Sequence, residues 1–387
     1  MAAHARLSAS SAARWLNCPP SVRLCEQFPD SGSQYAEEGT FAHALAELFL
    51  RYNNSEITKR QFNARLKKMQ EDPWYSKEME EYITSYAGLV WEELNEARAS
   101  CPDAFALFEQ KVDFSRYVPD GFGTADVTII SDDTLQVIDL KYGKGVEVSA
   151  KGNPQLRLYG IGAYLEHSLL YDIQKVKMTI IQPRISNLST EEISVDDLLS
   201  WAEDYVKPRA ELAAAGKGEL KVGDHCRFCK AFAVCKAQRD YQMELAQMDF
   251  AEPDLLDDEE ISEVLSRVDG LVKWAEAVKD YAFHMALDEH VKFDGWKLVE
   301  GRSVRKYTDI SKIEEILADN GYSPMDIYKP KELKGITEMT KLLGSKTFDD
   351  LLKDYVVKPP GKPVLVPESD KRPELNTVEQ MRGEFEE

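Results

Sequence analysis

Two neighbouring parts of the chain carry acidic and basic side chains at a spacing that a metal-dependent reaction could use. Asp139 and Lys141 lie two residues apart at the end of an apolar run. In a strand, alternate residues share one face, so these two side chains would emerge side by side while Leu140 points into the core. Asp126 lies on the preceding apolar run and would come beside Asp139 if the two runs pair. Two carboxylates placed in this way suit Mg²⁺ or Mn²⁺.

These side chains are typical of phosphodiester hydrolysis. That reaction needs a metal ion that neutralises phosphate charge and activates a water molecule, and Lys141 could supply a cation that orients the water. Gln155 and Tyr159 lie four residues apart on a predicted helix, so both would face the same site. An Asp-x-Lys pair alone is a weak signal because exposed pairs of acid and lysine are common. The complete set in this order favours a catalytic site.

The cysteines form a second candidate site. Three of the six lie within ten residues, at Cys226, Cys229 and Cys235. Their spacing leaves the series one thiolate short of the four that a tetrahedral zinc site or a four-cysteine iron–sulfur cluster requires. Cys18 is the best remote candidate for the fourth ligand. Cys25 and Cys101 lie in helical settings that are typical of small buried apolar residues.

The elements around these motifs predict an α/β fold with strands and helices in a mixed order. Apolar periodicity predicts helices at residues 41–51, 75–98, 154–166 and 195–215. Short β-branched and aromatic runs, separated by turn sequences, predict strands at residues 105–114, 124–131, 134–140 and 176–185. The core order is therefore α, β, β, β, α, β.

Length and charge limit the domains and the partners. For 387 residues we expect a helical lead-in at 1–104, a core with the cysteine triplet at 105–245, an α-rich domain at 250–357 and a Pro-rich extended tail at 358–387. A net charge of −20 repels polyanions, so any nucleic-acid contact must be local. The glycine-rich stretch with Lys144, Lys151 and Arg157 is a candidate phosphate-tracking segment.

The apolar runs also predict the compartment. No run is long enough to span a membrane, and the first residues lack the apolar stretch of a secretory signal. We therefore expect a cytoplasmic protein with no membrane contact, in which reduced cysteines can bind metal.

The segment from Gly123 to Tyr159 resembles the core of the PD-(D/E)XK nuclease superfamily, in particular its RecB-like exonuclease branch. The resemblance covers about residues 1–245. It implies a restriction-endonuclease-like αβββαβ core with a helical N-terminal lead-in and a mainly α C-terminal extension. It also implies that Asp126 and Asp139 bind Mg²⁺ or Mn²⁺ and that Lys141 is catalytic, with Gln155 and Tyr159 completing the site.

Two further residues enter through this resemblance. The sequence Gly-Thr-Phe-Ala-His43 is similar to a motif of the RecB-like branch in which a helical histidine binds the metal. His43 is thereby implied as a third ligand. Glu109 matches a less regular acidic position of the fold, where a strand-surface charge and an active-site acid are equally acceptable interpretations.

The cysteine spacing resembles an iron–sulfur branch of the same nucleases. In that branch one N-terminal cysteine and a C-terminal triplet bind a [4Fe–4S] cluster that joins the two ends of the nuclease domain. The resemblance assigns this role to Cys18, Cys226, Cys229 and Cys235. Zinc bound by the same four thiolates remains an alternative.

The function implied is a metal-dependent DNA exonuclease. Single-chain phage and prophage proteins of this kind resemble recombination exonucleases that resect DNA ends in the host cytoplasm, beside a single-strand annealing protein. Two alternatives remain open. One is a nuclease-fold DNA-binding or assembly protein of a recombination complex, and the other is a structure-specific endonuclease.

Overall fold

The computed structural model describes residues 5–29, 34–246 and 258–299, together with six isolated positions further along the chain. The chain divides into two compact units, Met1–Met285 and Ala286–Glu387. The tail expected at 358–387 and most of the segment 300–357 lie outside the described residues, and the expected domain limits stay predictions. Within the described ranges, no helix combines the length and the apolar character needed to cross a lipid bilayer.

The first unit is built on one five-stranded sheet with the strands in sequence order. The strands are β1 (Phe105–Asp113), β2 (Phe122–Ile130), β3 (Thr134–Leu140), β4 (Lys175–Gln182) and β5 (Asn187–Ser194). All neighbours pair antiparallel except β3 and β4, which are parallel and are connected by helix α6 (Pro154–His167). A parallel connection needs such a crossover element. The α/β class expected from the sequence is confirmed.

Helices cover both faces of the sheet and create two apolar cores. One core contains α3 (Gln34–Asn53) and α5 (Lys77–Ser100). The other contains α6 together with α1 (Ala12–Asn17), α7 (Val195–Trp201) and α8 (Lys207–Ala215). The central strand β3 is buried from Leu135 to Leu140, as expected for a strand covered on both faces. The remaining helices are α2 (Ser21–Cys25), α4 (Lys59–Met69), α9 (Lys236–Ala246) and α10 (Asp258–Leu287).

The observed elements differ from the predicted ones at identifiable places. The fourth strand ends at Gln182 because Pro183 has no backbone N–H to donate and begins a short 3₁₀ turn. Strand β5 was not predicted, since its sequence is mostly polar and it alternates between intermediate and exposed positions. The helix predicted at 195–215 contains one π-helical turn, Ala202–Val206, between α7 and α8.

Helix α6 lies unusually close to the sheet, and a glycine makes that approach possible. A Cβ atom at Gly162 would stand 2.9 Å from the Cβ of Val112 and 3.2 Å from the backbone nitrogen of Asp113. Any larger residue would push α6 away from β1. The close packing fixes the side chains of α6 relative to the ends of β2 and β3.

Candidate metal centre and cysteine site

The pairing of β2 with β3 brings the two predicted aspartates together. The paired register runs as far as Val127 and Ile138, so Asp126 and Asp139 are the next residues along each strand. Beyond this register, the Asp126 carboxylate joins the two strands in place of a backbone carbonyl, because its Oδ2 accepts the Leu140 N–H at 2.7 Å. Both aspartates are buried. The strand ends therefore hold two carboxylates next to each other at one edge of the sheet.

Lys141 and Gln155 form a connected polar group with Asp139. The Lys141 ammonium lies 2.8 Å from Asp139 Oδ2 and donates a 2.9 Å hydrogen bond to the Gln155 side-chain carbonyl. The Gln155 amide donates to Asp139 Oδ1 at 3.1 Å. The side chain of Asn153 caps the start of α6 by accepting the Gln155 N–H, which fixes Gln155 in the first turn of the helix. The lysine and the acid are thus held at a fixed separation by one amide.

Tyr159 packs directly on the strand that carries Asp126. A Cβ atom at Gly123 would stand only 2.6 Å from the Tyr159 ring, so only glycine fits there. The Tyr159 hydroxyl accepts a 3.2 Å hydrogen bond from the Gln155 amide. Burial, with Asp139 nearby, raises the pKa of Tyr159, which keeps its hydroxyl protonated. Tyr159 therefore positions Gln155 and can still act as a hydrogen-bond donor.

His43 and Glu109 reach the same place from outside the β2–β3 pair. His43, on α3, points Nδ1 at Asp126 Oδ1 across 3.2 Å. Glu109 lies between the paired positions Phe108 and Gln110 of β1 and has a φ of 50°. A positive φ is uncommon for a residue with a side chain and marks local backbone strain, which is often found at functional sites. Ligand atoms of His43, Glu109 and Asp126 lie within 4.8 Å of one another.

The concentrated negative charge shifts the pKa values of these groups. Burial alone lowers the pKa of His43, but Asp126 outweighs it, and the pKa rises to about 9. Burial and the Asp126 carboxylate raise the pKa of Glu109 to about 7. Burial also raises the pKa of Asp139, although the Lys141 ammonium opposes it. In the metal-free site the carboxylates outnumber the cations, and this excess of negative charge keeps a proton on His43 at neutral pH.

The donor set fits a hard divalent cation. An octahedral Mg²⁺ ion with bonds of about 2.1 Å separates its opposite ligands by about 4.2 Å, which the spacing of His43, Glu109 and Asp126 allows. Asp139 Oδ2 is buried and accepts no hydrogen bond in the described structure, although the Lys141 ammonium lies 2.8 Å from it. A buried oxygen without a hydrogen bond suits a metal ion as an additional partner. The set of three thus contains the expected His43 and Asp126, with Glu109 in the place of the expected Asp139.

Tyr86, on α5, is a residue of this site that sequence reasoning missed. Its side chain is fully buried, and its hydroxyl has no hydrogen-bond partner in the described structure. Burial raises the pKa of Tyr86, and Asp126, Asp139 and Glu109 raise it further. On an apolar helix face a tyrosine looks like a core residue, so only the three-dimensional structure relates its hydroxyl to the carboxylates.

The cysteine site joins the start of the first unit to a loop far along the chain. Helix α1 ends at Asn17, and Pro19 and Pro20 prevent its continuation, so Cys18 lies at a sharp corner before α2. The four predicted ligands, Cys18, Cys226, Cys229 and Cys235, line one cavity. Cys18 and Cys235 are close enough to Cys226 to contribute to its raised pKa, after burial. The structure therefore brings the predicted set together.

The spacing of the sulfurs bears on which metal group would fit. Four thiolates on a zinc ion, with bonds of about 2.3 Å, lie about 3.8 Å apart. In the described part of the chain no three cysteine sulfurs come within 4.8 Å of one another. The sulfurs are therefore not arranged as a preformed zinc tetrahedron, and four thiolates suit either zinc or an iron–sulfur cluster.

Cys25 adds a fifth cysteine to this region. Its Sγ lies 3.7 Å from Cys229 Sγ, and Arg14 donates a 3.0 Å hydrogen bond to it. The hydrogen bond with Cys229 and the charge of Arg14 lower the pKa of Cys25 to about 5, although burial opposes them. Cys25 is buried as expected, but sequence reasoning missed its position beside Cys229. Cys25 lies at the end of α2, and its sequence spacing gave no signal of this contact.

The three residues of the predicted DNA-tracking segment do not lie together. Lys144 and Lys151 are exposed on the loop that follows Lys141. Arg157 is instead mostly buried on α6, where it donates 3.1 Å hydrogen bonds to both carboxylate oxygens of Glu191. Of the three, only the two lysines are exposed to solvent.

Comparison with known proteins adds the family. The crystal structure of SSO0001 is similar to this chain at 16% sequence identity and a TM-score of 0.26, covering 60% of this chain and 85% of that chain. A likeness at this TM-score adds nothing to the argument. A family model described as "Protein of unknown function (DUF2800)" matches residues 4–373. Since that match covers nearly the whole chain, the chain belongs to the DUF2800 family.

Proposed function

We propose that this chain is a metal-dependent deoxyribonuclease that hydrolyses phosphodiester bonds from DNA ends, as RecB-like exonucleases do. The observation that carries the proposal is the arrangement at the ends of β2 and β3. Asp126 and Asp139 are adjacent, Lys141 lies 2.8 Å from Asp139, and His43 lies 3.2 Å from Asp126. Neighbouring carboxylates, a histidine and a lysine are what a metal-assisted attack of water on phosphate needs.

Each side chain has a separate task in this reaction. A bound Mg²⁺ or Mn²⁺ ion neutralises phosphate charge and makes water more acidic. Asp126, Asp139 and His43 would hold the ion, with Glu109 as a further oxygen donor. Lys141 would orient the water and attract the phosphate, because its ammonium is kept beside the carboxylates by Gln155.

Tyr159 and Tyr86 complete the proposed site as positioning groups. The Tyr159 hydroxyl holds the Gln155 amide, and through it the orientation of Asp139. Tyr86 offers a buried hydroxyl without a partner on the side of α5. Both tyrosines limit the room for solvent next to the carboxylates, which strengthens the local electrostatic interactions.

The proposed substrate path follows the loop after Lys141. Lys144 and Lys151 are exposed there and supply positive charge that the chain as a whole lacks. Contacts with phosphate oxygens are independent of base sequence, which suits an enzyme that degrades DNA from an end. We further propose a role in phage recombination or replication, with a single-strand annealing protein as partner.

The cysteine site has a structural role in this proposal. Cys18, Cys226, Cys229 and Cys235 would bind a [4Fe–4S] cluster that ties α1 to the loop before α9. The cavity that the four cysteines share supports a common metal group, and the resemblance to the iron–sulfur branch favours the cluster over zinc. Metal binding across distant segments is coupled to folding, so the cluster would stabilise the first unit.

Cleavage of end-labelled linear, nicked and circular DNA in Mg²⁺ or Mn²⁺ tests the proposal. We expect the full-length chain to degrade linear DNA from its ends, to leave intact circles untouched, and to lose activity in EDTA. Asp139→Asn should be inactive, whereas Asp132→Asn, at an exposed turn, should be fully active. Cleavage of closed circles would assign an endonuclease instead, and binding without cleavage would assign an assembly protein.

A further inference from the structure

Two free thiols from distant parts of the chain face each other beside the cysteine site. The sulfurs of Cys25 and Cys229 are separated by 3.7 Å in space and by 204 residues in sequence. All six cysteines are described and all are free thiols. A disulfide bond has a length of about 2.05 Å, so the two sulfurs would have to move closer together to form one.

The surroundings of Cys25 differ from those of an ordinary buried cysteine. Arg14 donates a hydrogen bond to its sulfur at 3.0 Å, and a guanidinium at this distance stabilises negative charge there. Arg14 is held in place by a second hydrogen bond, of 3.1 Å, to the backbone carbonyl of Ser21. Cys25 is buried, whereas Cys229 is partly exposed. The Cys229 thiol can thus react with a small oxidant from solvent, and the buried Cys25 thiol can then react with Cys229.

We propose that Cys25 and Cys229 are a redox-active pair whose disulfide removes Cys229 from metal binding. The disulfide rests on the thiol geometry alone. The competition with metal rests on the proposed role of Cys229 as a ligand. Cys25 is therefore a resolving thiol for the metal-free protein and is not a ligand itself.

The chemistry needs a two-electron oxidant, which we take to be a low-molecular-weight disulfide. Cys229 passes its proton to the Cys25 thiolate across the 3.7 Å contact. The Cys229 sulfur then attacks one sulfur of the oxidant, which forms a mixed disulfide and releases one thiolate that takes up the proton from Cys25. The Cys25 thiolate then attacks Cys229 Sγ, forms the protein disulfide and releases the second thiolate. The second released thiolate takes up the proton that Cys25 gave to solvent when it ionised. The protein loses two hydrogens, and the small disulfide is reduced to two thiols.

The disulfide would take over the structural task of the metal. It joins α2 to the loop between Cys229 and α9, the regions that the metal would otherwise hold together. Closing so long a loop restricts the unfolded chain strongly. Oxidation would then preserve the fold of the first unit after loss of the metal, and reduction would restore the four-cysteine site.

The test is peptide mapping of the full-length protein under non-reducing conditions. Protein stripped of metal by a chelator is treated with oxidised glutathione, and free thiols are alkylated before digestion. We expect one dominant linked peptide pair, joining Cys25 to Cys229, and its loss in Cys25→Ser. Cys101→Ser, which alters a cysteine elsewhere, should keep the linkage. Before metal removal, the linked pair should be absent from the wild-type protein.

The controls separate this proposal from that of the cysteine ligands. Cys25→Ser should contain as much iron or zinc as wild type, and a loss of metal would make Cys25 a ligand and overturn the proposal. A linkage of Cys229 to Cys226, or a reduced Cys25 after full oxidation of the others, would also overturn it. If the wild-type protein contains no metal and still forms the linkage, the disulfide stands and only the ligand assignment fails.

Discussion

The carboxylate site and the cysteine site assemble their ligands in different ways. Asp126, Asp139 and Lys141 belong to neighbouring strands, and the pairing of β2 with β3 brings them together without help from a bound group. The cysteine site joins Cys18 to a loop near the other end of the first unit. The first site is therefore preformed by the sheet. In our proposal, the second is completed by a metal group that bonds to both segments.

This difference has an energetic side. At the carboxylate site, buried negative charge opposes folding, since burial raises the pKa of Asp139 and of Glu109. At the cysteine site, a bound metal or a disulfide adds stability. Losing the function of the first site should leave stability intact, whereas losing a ligand of the second should reduce it.

The largest expected effect is on catalysis. Asp126→Asn, Asp139→Asn or Lys141→Ala should each lower the hydrolysis rate at least about 100-fold, because each removes a charge that acts on the reacting phosphate or its metal. Asp139→Asn should remain folded, because the amide has the shape of the carboxylate, although it leaves the Lys141 ammonium without its charged partner. Single-turnover cleavage and denaturant unfolding measure the two quantities. Loss of activity together with unfolding would show that the site is structural.

The next effect is on the cysteine site. Cys18→Ser or Cys226→Ser should remove the bound metal and lower the free energy of unfolding by at least about 2 kcal/mol, because folding and metal binding are coupled. Cys101→Ser is the matched control and should retain both. Protein prepared without oxygen should be brown and contain about four irons per chain. A colourless, zinc-loaded protein would exclude the cluster and leave the carboxylate site unaffected.

The pH dependence distinguishes the two sites further. A proton on His43, whose pKa is raised to about 9, must leave before a cation binds. Mn²⁺ affinity should therefore rise about tenfold per pH unit between pH 7 and 9 and level off above. His43→Gln should flatten this rise. In the metal-free protein, the stabilisation from protonated His43 is fully present below pH 6.5 and is lost as the pH rises through about 9.

The smallest effect concerns DNA contact. Lys144→Ala together with Lys151→Ala should lower the slope of logarithmic affinity against logarithmic salt by roughly 0.7 to 0.9 for each residue. Arg157→Ala should leave the slope unchanged, because the Arg157 guanidinium is already paired with the Glu191 carboxylate. Salt titrations of DNA binding without divalent metal measure both. Equal slopes in wild type and the double variant would place the DNA elsewhere.

Most of the carboxylate site could be predicted from the sequence with local rules of strand geometry. Strand alternation placed Asp139 beside Lys141, and a three-strand meander placed Asp126 beside Asp139. Glu109 was uncertain because regular alternation does not anticipate its φ of 50°. Tyr86 was missed because a buried tyrosine on a helix has no distinguishing spacing. Strand β5 was missed because an edge strand can be polar on both faces.

Long-range placement was harder to predict. The pairing of Cys18 with the triplet came from counting ligands and from a resemblance, and the shared cavity agrees with it. Nothing in the spacing of Cys25 showed that it would lie 3.7 Å from Cys229. Likewise, Arg157 belonged to a basic segment by sequence, yet its partner Glu191 comes from β5, which was not predicted. Contacts of this kind depend on the assembled fold.

The central claim is that the carboxylates at the ends of β2 and β3 hold a divalent ion that the hydrolysis of DNA requires. Its most direct test is a titration of metal-free, full-length protein with Mn²⁺, in which binding and cleavage of linear DNA are measured in the same samples. We expect that both rise together, that both are lost in Asp126→Asn, and that neither changes in Asp132→Asn. Wild-type cleavage by Asp126→Asn, or cleavage that persists in EDTA, would contradict it.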